Sequence, residues 1–180
     1  ALDSSSVTGY IINRTTKEPT VAAKHLSERD SWQKSARIIG DAGENNFVSF
    51  VAKYLPGHYN IVYKPPKLEI YSDGRGIKLD SMIVNTKTGK RLYVENKTGN
   101  NGGNAHERAY KLISEPLKGV VRENHHGAAE PFFLVFSGET FQGRKYQDEL
   151  NLLLEGNNYA IIEPHYANIE QVAKQIMEIV

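Results

Sequence analysis

The sequence IKLDSMIVNTKTGKRLYVENK occupies residues 77–97, near the middle of the chain. Its two halves, residues 77–84 and 90–97, are β-prone, and the segment TKTG between them (residues 86–89) is typical of a turn that ends in glycine. We therefore predict a β-hairpin here.

The turn also predicts the register of this hairpin. If residues 86–89 form the loop, Asn85 pairs with Lys90, and counting back places Asp80 opposite Glu95. Side chains alternate along a strand, so Glu95 and Lys97 share one face, and opposed side chains have Cβ atoms about 5 Å apart. A shift of one residue would separate the two carboxylates.

Two carboxylates beside a lysine suit phosphodiester hydrolysis. Hard carboxylate oxygens from Asp80 and Glu95 can hold Mg²⁺ and leave its other positions to water and phosphate oxygens. Lys97 would orient the attacking water and neutralise charge that develops on phosphorus. A solvated hairpin face with a Glu–Lys pair produces the same short pattern, so this pattern alone leaves both interpretations open.

Helices and strands are predicted to alternate along the rest of the chain. Helices are expected at residues 32–39, 44–54, 104–114, 146–154 and 169–180, and strands at 59–63, 131–137 and 159–162. The apolar run within 131–137 is typical of a strand buried on both faces. These elements predict an α/β (α+β) fold with a mixed central β-sheet flanked by helices, in one domain, residues 1–180, whose first 30 residues form an arm or a loosely packed start.

Composition excludes several classes of site and of protein. There is no cysteine, which excludes disulfides, thiolate zinc sites and a cysteine nucleophile. No apolar run approaches the roughly 20 residues needed to span a bilayer, so we expect no membrane partner.

Positive charge is concentrated in the middle of the chain. Residues 87–122 contain eight basic and three acidic side chains although the whole chain has a net charge of only +1. This stretch is the predicted polyanion-facing part, and Lys118 within it is expected to contact phosphate.

The sequence GNAHER, residues 103–108, follows Lys97 across a glycine-rich loop and opens the helix predicted at 104–114. Asn104 is a good N-cap and Glu107 resembles the second half of a capping box. Capping alone does not require Arg108 or the preceding glycine-rich loop. Arg108 and Lys111 share the polar face with Asn104. A helix start that carries these residues also suits phosphate approach and base edges in the major groove.

At these residues the chain resembles the EcoRI and MunI group of type II restriction endonucleases, whose members combine a PD…(D/E)xK metal site with a Gly-Asn-Ala-x-Glu-Arg segment. The resemblance covers about residues 76–137. The residue before Asp80 is Leu79, where the family pattern has proline, a departure that leaves the chemistry of the carboxylate intact.

The resemblance implies a role for each matching residue. It assigns Asp80 and Glu95 to Mg²⁺, and Lys97 to the water. It assigns Asn104, Ala105, Glu107 and Arg108 to adenine recognition. His106 fills the variable position and either contacts DNA or caps the helix.

The same resemblance implies an Mg²⁺-dependent restriction enzyme that works as a homodimer in the prokaryotic cytoplasm. Its partner would be double-stranded DNA with a palindromic site containing A·T pairs. Two other functions remain open: a structure-specific repair or junction nuclease with the same metal site, and a non-catalytic DNA-binding module. Glu44 could be a further acidic ligand, or it could favour the dipole of its own helix.

Overall fold

The computed structural model describes residues 10–11, 46–99, 105–154, 160–161 and 169–180. The helix predicted at 32–39, the candidate ligand Glu44 and the candidate DNA-contact residue Asn104 lie outside the described residues. Most of the predicted N-terminal arm does too, although Tyr10–Ile11 forms a strand of the central sheet.

The described elements alternate as the sequence predicts, with two 3₁₀ helices between longer elements. In chain order they are β1 (Tyr10–Ile11), α1 (Asn46–Ala52), β2 (Tyr59–Tyr63), β3 (Leu68–Glu69), β4 (Gly76–Ile77), β5 (Ser81–Asn85), β6 (Arg91–Thr98), the first 3₁₀ helix (Ala105–Ile113), α2 (Glu115–Asn124), β7 (Gly127–Ser137), the second 3₁₀ helix (Glu139–Gln142), α3 (Arg144–Leu154), β8 (Ala160–Ile161) and α4 (Ile169–Ile179).

Six of the strands form one mixed sheet in the order β1-β8-β7-β6-β5-β2. The pairs β2–β5 and β5–β6 are antiparallel, whereas β6–β7, β7–β8 and β8–β1 are parallel. Helices flank this sheet on both faces, so the predicted fold class is confirmed.

The central strand β7 separates two hydrophobic cores. Residues 131–136 are all buried, as the apolar run predicts. Phe133 and Val135 pack on the face that α1 and α4 cover, and Leu134 and Phe136 pack on the face of the first 3₁₀ helix, α2 and α3. Every second side chain of β7 therefore belongs to the same core.

The predicted hairpin is formed with the predicted register. Ser81 pairs with Val94 and Val84 with Arg91, and the amide of Asn85 donates to the carbonyl of Lys90. Gly89 has a φ of 77°, a conformation that favours glycine and closes the turn.

The strand predicted at residues 77–84 is interrupted. Gly76–Ile77 is the separate strand β4, which pairs with β3 in a two-stranded sheet, and β5 begins only at Ser81. A Cβ at Gly76 would overlap the carbonyl oxygen of Leu68, so the close approach of β3 and β4 requires glycine there.

The helix predicted at 104–114 is a 3₁₀ helix over its described residues, and a second helix that the sequence analysis missed follows it. Ser114 caps this helix, α2, by accepting from the amide of Leu117 at 3.4 Å, and Pro116 lies in its first turn. Proline is tolerated in that position, so the proline that ends the first predicted helix also begins the next.

The remaining predicted elements agree in type with the structure. The strand at 131–137 is the C-terminal part of β7, the helices at 146–154 and 169–180 correspond to α3 and α4, and the strand at 159–162 contains β8. Among the described helices, none combines the length and the apolar character that crossing a bilayer requires.

Candidate active site

Asp80 lies directly before β5 and is held by contacts on both its backbone and its side chain. Its carbonyl accepts from the amide of Lys64 at 2.9 Å, and its Oδ2 accepts from the amide of Asn96 at 2.7 Å. The second bond links Asp80 to the middle of the Glu95-Asn96-Lys97 segment across the hairpin.

Glu95 lies beside Asp80, as the predicted register requires. Its side chain is 14% exposed, and its carboxyl lies close enough to that of Asp80 for the two charges to interact. Burial, followed by the nearby charge of Asp80, raises the pKa of Glu95 to about 7, and Lys97 opposes this shift. Two carboxylates held together in a poorly hydrated position form a site of high negative potential.

Lys97 completes this group on the same strand face. Its Nζ lies 3.3 Å from Oε1 of Glu95, and its side chain is 25% exposed. The ammonium group is therefore partly desolvated and retains access to the adjoining cleft.

A cleft of about 130 Å³ opens beside these residues. Glu95 and Lys97 line one part of it, and Arg108 and Lys111 of the first 3₁₀ helix line another. The structure thus brings together the hairpin residues and two residues of the predicted DNA-contact set.

The sequence analysis missed Lys78, which also lines this cleft. Residues 78–80 lie between β4 and β5 and not in one continuous strand, so the alternation of side chains along a strand did not predict this position. The remaining side chains of the lining are apolar: Ile77, Leu79, Ala109 and Leu112.

The donor set of the hairpin fits a hard divalent cation. Asp80 and Glu95 supply carboxylate oxygens from adjacent positions, which leaves much of the coordination sphere of a bound Mg²⁺ to water and phosphate oxygens. Burial and the nearby charge of Asp80 raise the pKa of Glu95 to about 7, and a cation beside the two carboxylates would oppose both effects by stabilising the ionised form.

The first 3₁₀ helix determines which of the GNAHER side chains are accessible. Its buried residues His106, Ala109 and Leu112 recur every third position, as a helix of three residues per turn requires. Arg108 and Lys111, also three apart, are both exposed at the cleft. Glu107 is exposed, and Ala105 is the first residue of this helix.

His106 is buried against aromatic rings, which corrects both expectations for it. It is 3% exposed and packs edge-to-face on Tyr110, Phe141 and Tyr146, with ring centroids 5.3–5.6 Å apart. An enclosed imidazole does not reach a DNA base, and a residue inside the helix is not its N-cap.

Lys118 is also buried, contrary to the expectation that it contacts phosphate. It is 1% exposed, and its Nζ lies 2.7 Å from Oε2 of Glu130 and 3.6 Å from Oε1 of Glu115. Its charge is compensated within the protein.

The chain is similar to a known family of proteins. A family model described as the type II restriction enzyme MunI matches residues 70–163, just over half of the chain. No curated protein gives a significant match.

A solved structure of similar fold is that of the MunI restriction endonuclease in complex with cognate DNA. It is 24% identical to this chain, with a TM-score of 0.57, and the alignment covers 85% of this chain and 94% of the MunI chain. At this identity the likeness concerns the fold.

Proposed function

Because this chain belongs to the MunI family of type II restriction enzymes, we propose that it makes Mg²⁺-dependent double-strand cuts at a specific DNA site, using Asp80, Glu95 and Lys97. Membership of this family makes the chain a DNA-cleaving hydrolase that acts at specific sequences. We further propose which metal the enzyme uses, which residues cleave the DNA and which residues recognise its sequence.

The observation that carries the assignment is the shared cleft. Glu95 and Lys97 come from the hairpin, whereas Arg108 and Lys111 come from a separate element, and all four line one cleft. A polyanion entering there would meet the basic residues and Glu95 together. A solvated hairpin face would not place Glu95 and Lys97 in a cleft that cations of another element also line.

Each residue of the proposed cutting centre has a distinct task. Asp80 and Glu95 hold the cation, and the amide of Asn96 keeps the Asp80 carboxylate in place. Bound Mg²⁺ supplies electrophilic activation of the phosphate and a more acidic water. Lys97 orients the attacking water and offsets negative charge that develops on the phosphoryl oxygens.

Recognition of the sequence is assigned to the GNAHER segment on the strength of its family pattern. Arg108 would contact base edges from the cleft, with Asn104, Ala105 and Glu107 as the other members of the set, and Lys111 would contact phosphate. The family pattern implies a palindromic site that contains adjacent A·T pairs. MunI itself has been solved with its cognate DNA.

The proposed enzyme is a single nuclease domain that acts as a homodimer in the cytoplasm of a prokaryote. Cutting both strands of a palindrome is done most simply by two copies related by a two-fold axis.

A plasmid digest with Mg²⁺ tests this function. We expect discrete fragments from the wild-type chain, complete loss of cutting in chelator, and recovery with Mn²⁺. Ca²⁺ should support DNA binding without cutting, because its longer and looser coordination positions water poorly.

The decisive variants are Asp80→Asn and Asp148→Asn. Asp80→Asn removes a proposed ligand and should reduce cutting by orders of magnitude, whereas Asp148 is exposed on α3 and its variant should cut normally. Full activity of Asp80→Asn would reject the site. Smears or selective cutting of branched DNA would indicate a structure-specific nuclease, and binding with no cutting in any metal would indicate a non-catalytic module.

A further inference from the structure

A second group of metal-ligand side chains lies where the first 3₁₀ helix meets α3, and it consists of residues that do not line the cleft. His106 and Glu107 come from the 3₁₀ helix and Glu149 from α3. One potential ligand atom from each of the three residues lies within 4.8 Å of the others. We propose that these residues form a Zn²⁺ site that fastens the 3₁₀ helix to α3.

The imidazole of His106 is the observation that points to a ligand. Its Nε2 is buried and makes no hydrogen bond. A carboxylate oxygen, Oε2 of Glu149, lies 3.8 Å away. A buried polar atom without a hydrogen bond is costly, and coordination to a cation would satisfy it. The surrounding rings of Tyr110, Phe141 and Tyr146 hold the imidazole in this orientation.

Glu149 is oriented toward the same position by a second residue. The hydroxyl of Tyr110 donates to Oε1 of Glu149 at 3.3 Å, which leaves Oε2 facing His106. Outer hydrogen bonds of this kind commonly fix the carboxylate ligands of metal sites. Both Glu149 and Glu107 also raise the pKa of Tyr110, after burial, so both carboxylates contribute negative potential at this position.

The donor types favour Zn²⁺ over Mg²⁺. Mg²⁺ prefers oxygen ligands, whereas imidazole nitrogen and carboxylate oxygen are both ligands of Zn²⁺. Tetrahedral Zn²⁺ with bonds of about 2.0–2.2 Å separates its ligand atoms by about 3.4 Å. The His106–Glu149 separation of 3.8 Å is close to this value, and the exposed side chain of Glu107 can approach by rotation, with water as the fourth ligand.

The test measures metal uptake in a chain that lacks the cutting centre. In a background of Asp80→Asn with Glu95→Gln, we expect the full chain to bind one equivalent of Zn²⁺ by calorimetry and to give a visible Co²⁺ absorption band. Adding Glu149→Gln should weaken binding at least tenfold, whereas the adjacent Asp148→Asn should leave it unchanged. The titrations are made without DNA, because Glu107 also belongs to the proposed base-reading set.

A second variant distinguishes the loss of a metal ligand from the loss of the fold. His106→Phe keeps an aromatic ring among its three aromatic neighbours but removes both nitrogens, so it should abolish the Co²⁺ band while the circular dichroism spectrum is retained. Zn²⁺ should raise the melting temperature of the background chain and, at the same Zn²⁺ concentration, raise that of Glu149→Gln by less. Absence of saturable uptake, or equal affinity in Glu149→Gln, would overturn the site. Neither result bears on plasmid cutting, which tests the proposed function separately.

Discussion

Glu95 is subject to opposing influences within a few ångströms. Burial and the charge of Asp80 raise its pKa to about 7, whereas Lys97 lowers it. A raised carboxyl pKa means that the folded chain holds this proton more tightly than the unfolded chain does. The resulting stability is fully present below the ordinary pKa near 4.5 and is lost as the pH rises through about 7.

Replacing Glu95 by glutamine should therefore remove one pH-dependent contribution to stability. In chelator, we expect wild-type stability to fall by up to about 3 kcal/mol relative to Glu95→Gln between pH 4.5 and pH 8. Urea unfolding at several pH values measures this, with Glu178→Gln on the exposed face of α4 as the control. Parallel curves for the wild-type chain and Glu95→Gln would contradict the raised pKa.

The burial of Lys118 makes this residue important for the stability of the fold. Because this ammonium is buried against Glu130, Lys118→Ala should destabilise the fold by about 3 kcal/mol, which is the scale for breaking a buried pair from one side. Lys118→Met combined with Glu130→Gln should recover most of that loss, because neither partner is then left charged. Thermal and urea unfolding measure both variants.

The exposed Lys111 provides the control for this prediction, since Lys111→Ala should change stability by less than about 0.5 kcal/mol. A fully stable Lys118→Ala chain with weakened DNA binding would restore the phosphate-contact interpretation.

Among the elements, the first 3₁₀ helix has the clearest division of faces. A repeat of three residues aligns His106, Ala109 and Leu112 on the buried side and Arg108 with Lys111 on the cleft side. The side chains of Arg108 and Lys111 therefore line the cleft from the same face of this helix, although we propose different roles for them in DNA binding.

Measurements of DNA affinity should distinguish base recognition by Arg108 from phosphate contact by Lys111. Arg108→Ala should reduce the preference for cognate over scrambled duplex by about 1–3 kcal/mol, the usual cost of losing a bidentate base contact. Lys111→Ala should weaken both duplexes alike and reduce the salt slope by about one. Fluorescence titrations in Ca²⁺ at several salt concentrations measure both effects. An unchanged preference in Arg108→Ala would remove it from base recognition.

The hairpin and the 3₁₀ helix also mark the limits of prediction from sequence. The register of Asp80 opposite Glu95 followed from a local turn, whose glycine and length determine the pairing of the strands that it joins. The sequence did not predict that His106 lies on the buried face of the first 3₁₀ helix. Residues 105, 109, 112 and 113 fit an α-helical apolar stripe, and only the packing partners of the segment select three residues per turn.

Tertiary context likewise decided the positions of Lys118 and Lys78. Glu130, which pairs with Lys118, lies on β7, so local sequence gave no indication of that contact. Lys78 lies in the segment where the predicted strand is interrupted between β4 and β5. A site whose residues lie within one hairpin is thus far more predictable than a contact between elements that are distant in sequence.

At the scale of the whole molecule, the proposal requires two chains on each DNA duplex. One cutting centre per chain then acts on each strand of a palindrome. Light scattering of the Asp80→Asn chain with a short cognate duplex should give two chains per duplex. One chain per duplex, together with double-strand cutting by the wild-type chain, would contradict the homodimer.

The location of both carboxylates on one hairpin has a consequence for the order of folding. Closing a short hairpin takes about 1–10 μs, whereas parallel strands pair across longer intervening segments and later. Asp80 and Glu95 thus become neighbours while both are still hydrated. Their repulsion becomes severe only when β7 pairs with β6 and places Leu134 beside Glu95. We therefore expect the folding barrier to rise as the pH increases from about 4.5 to about 7, and to fall when a divalent cation is present during refolding.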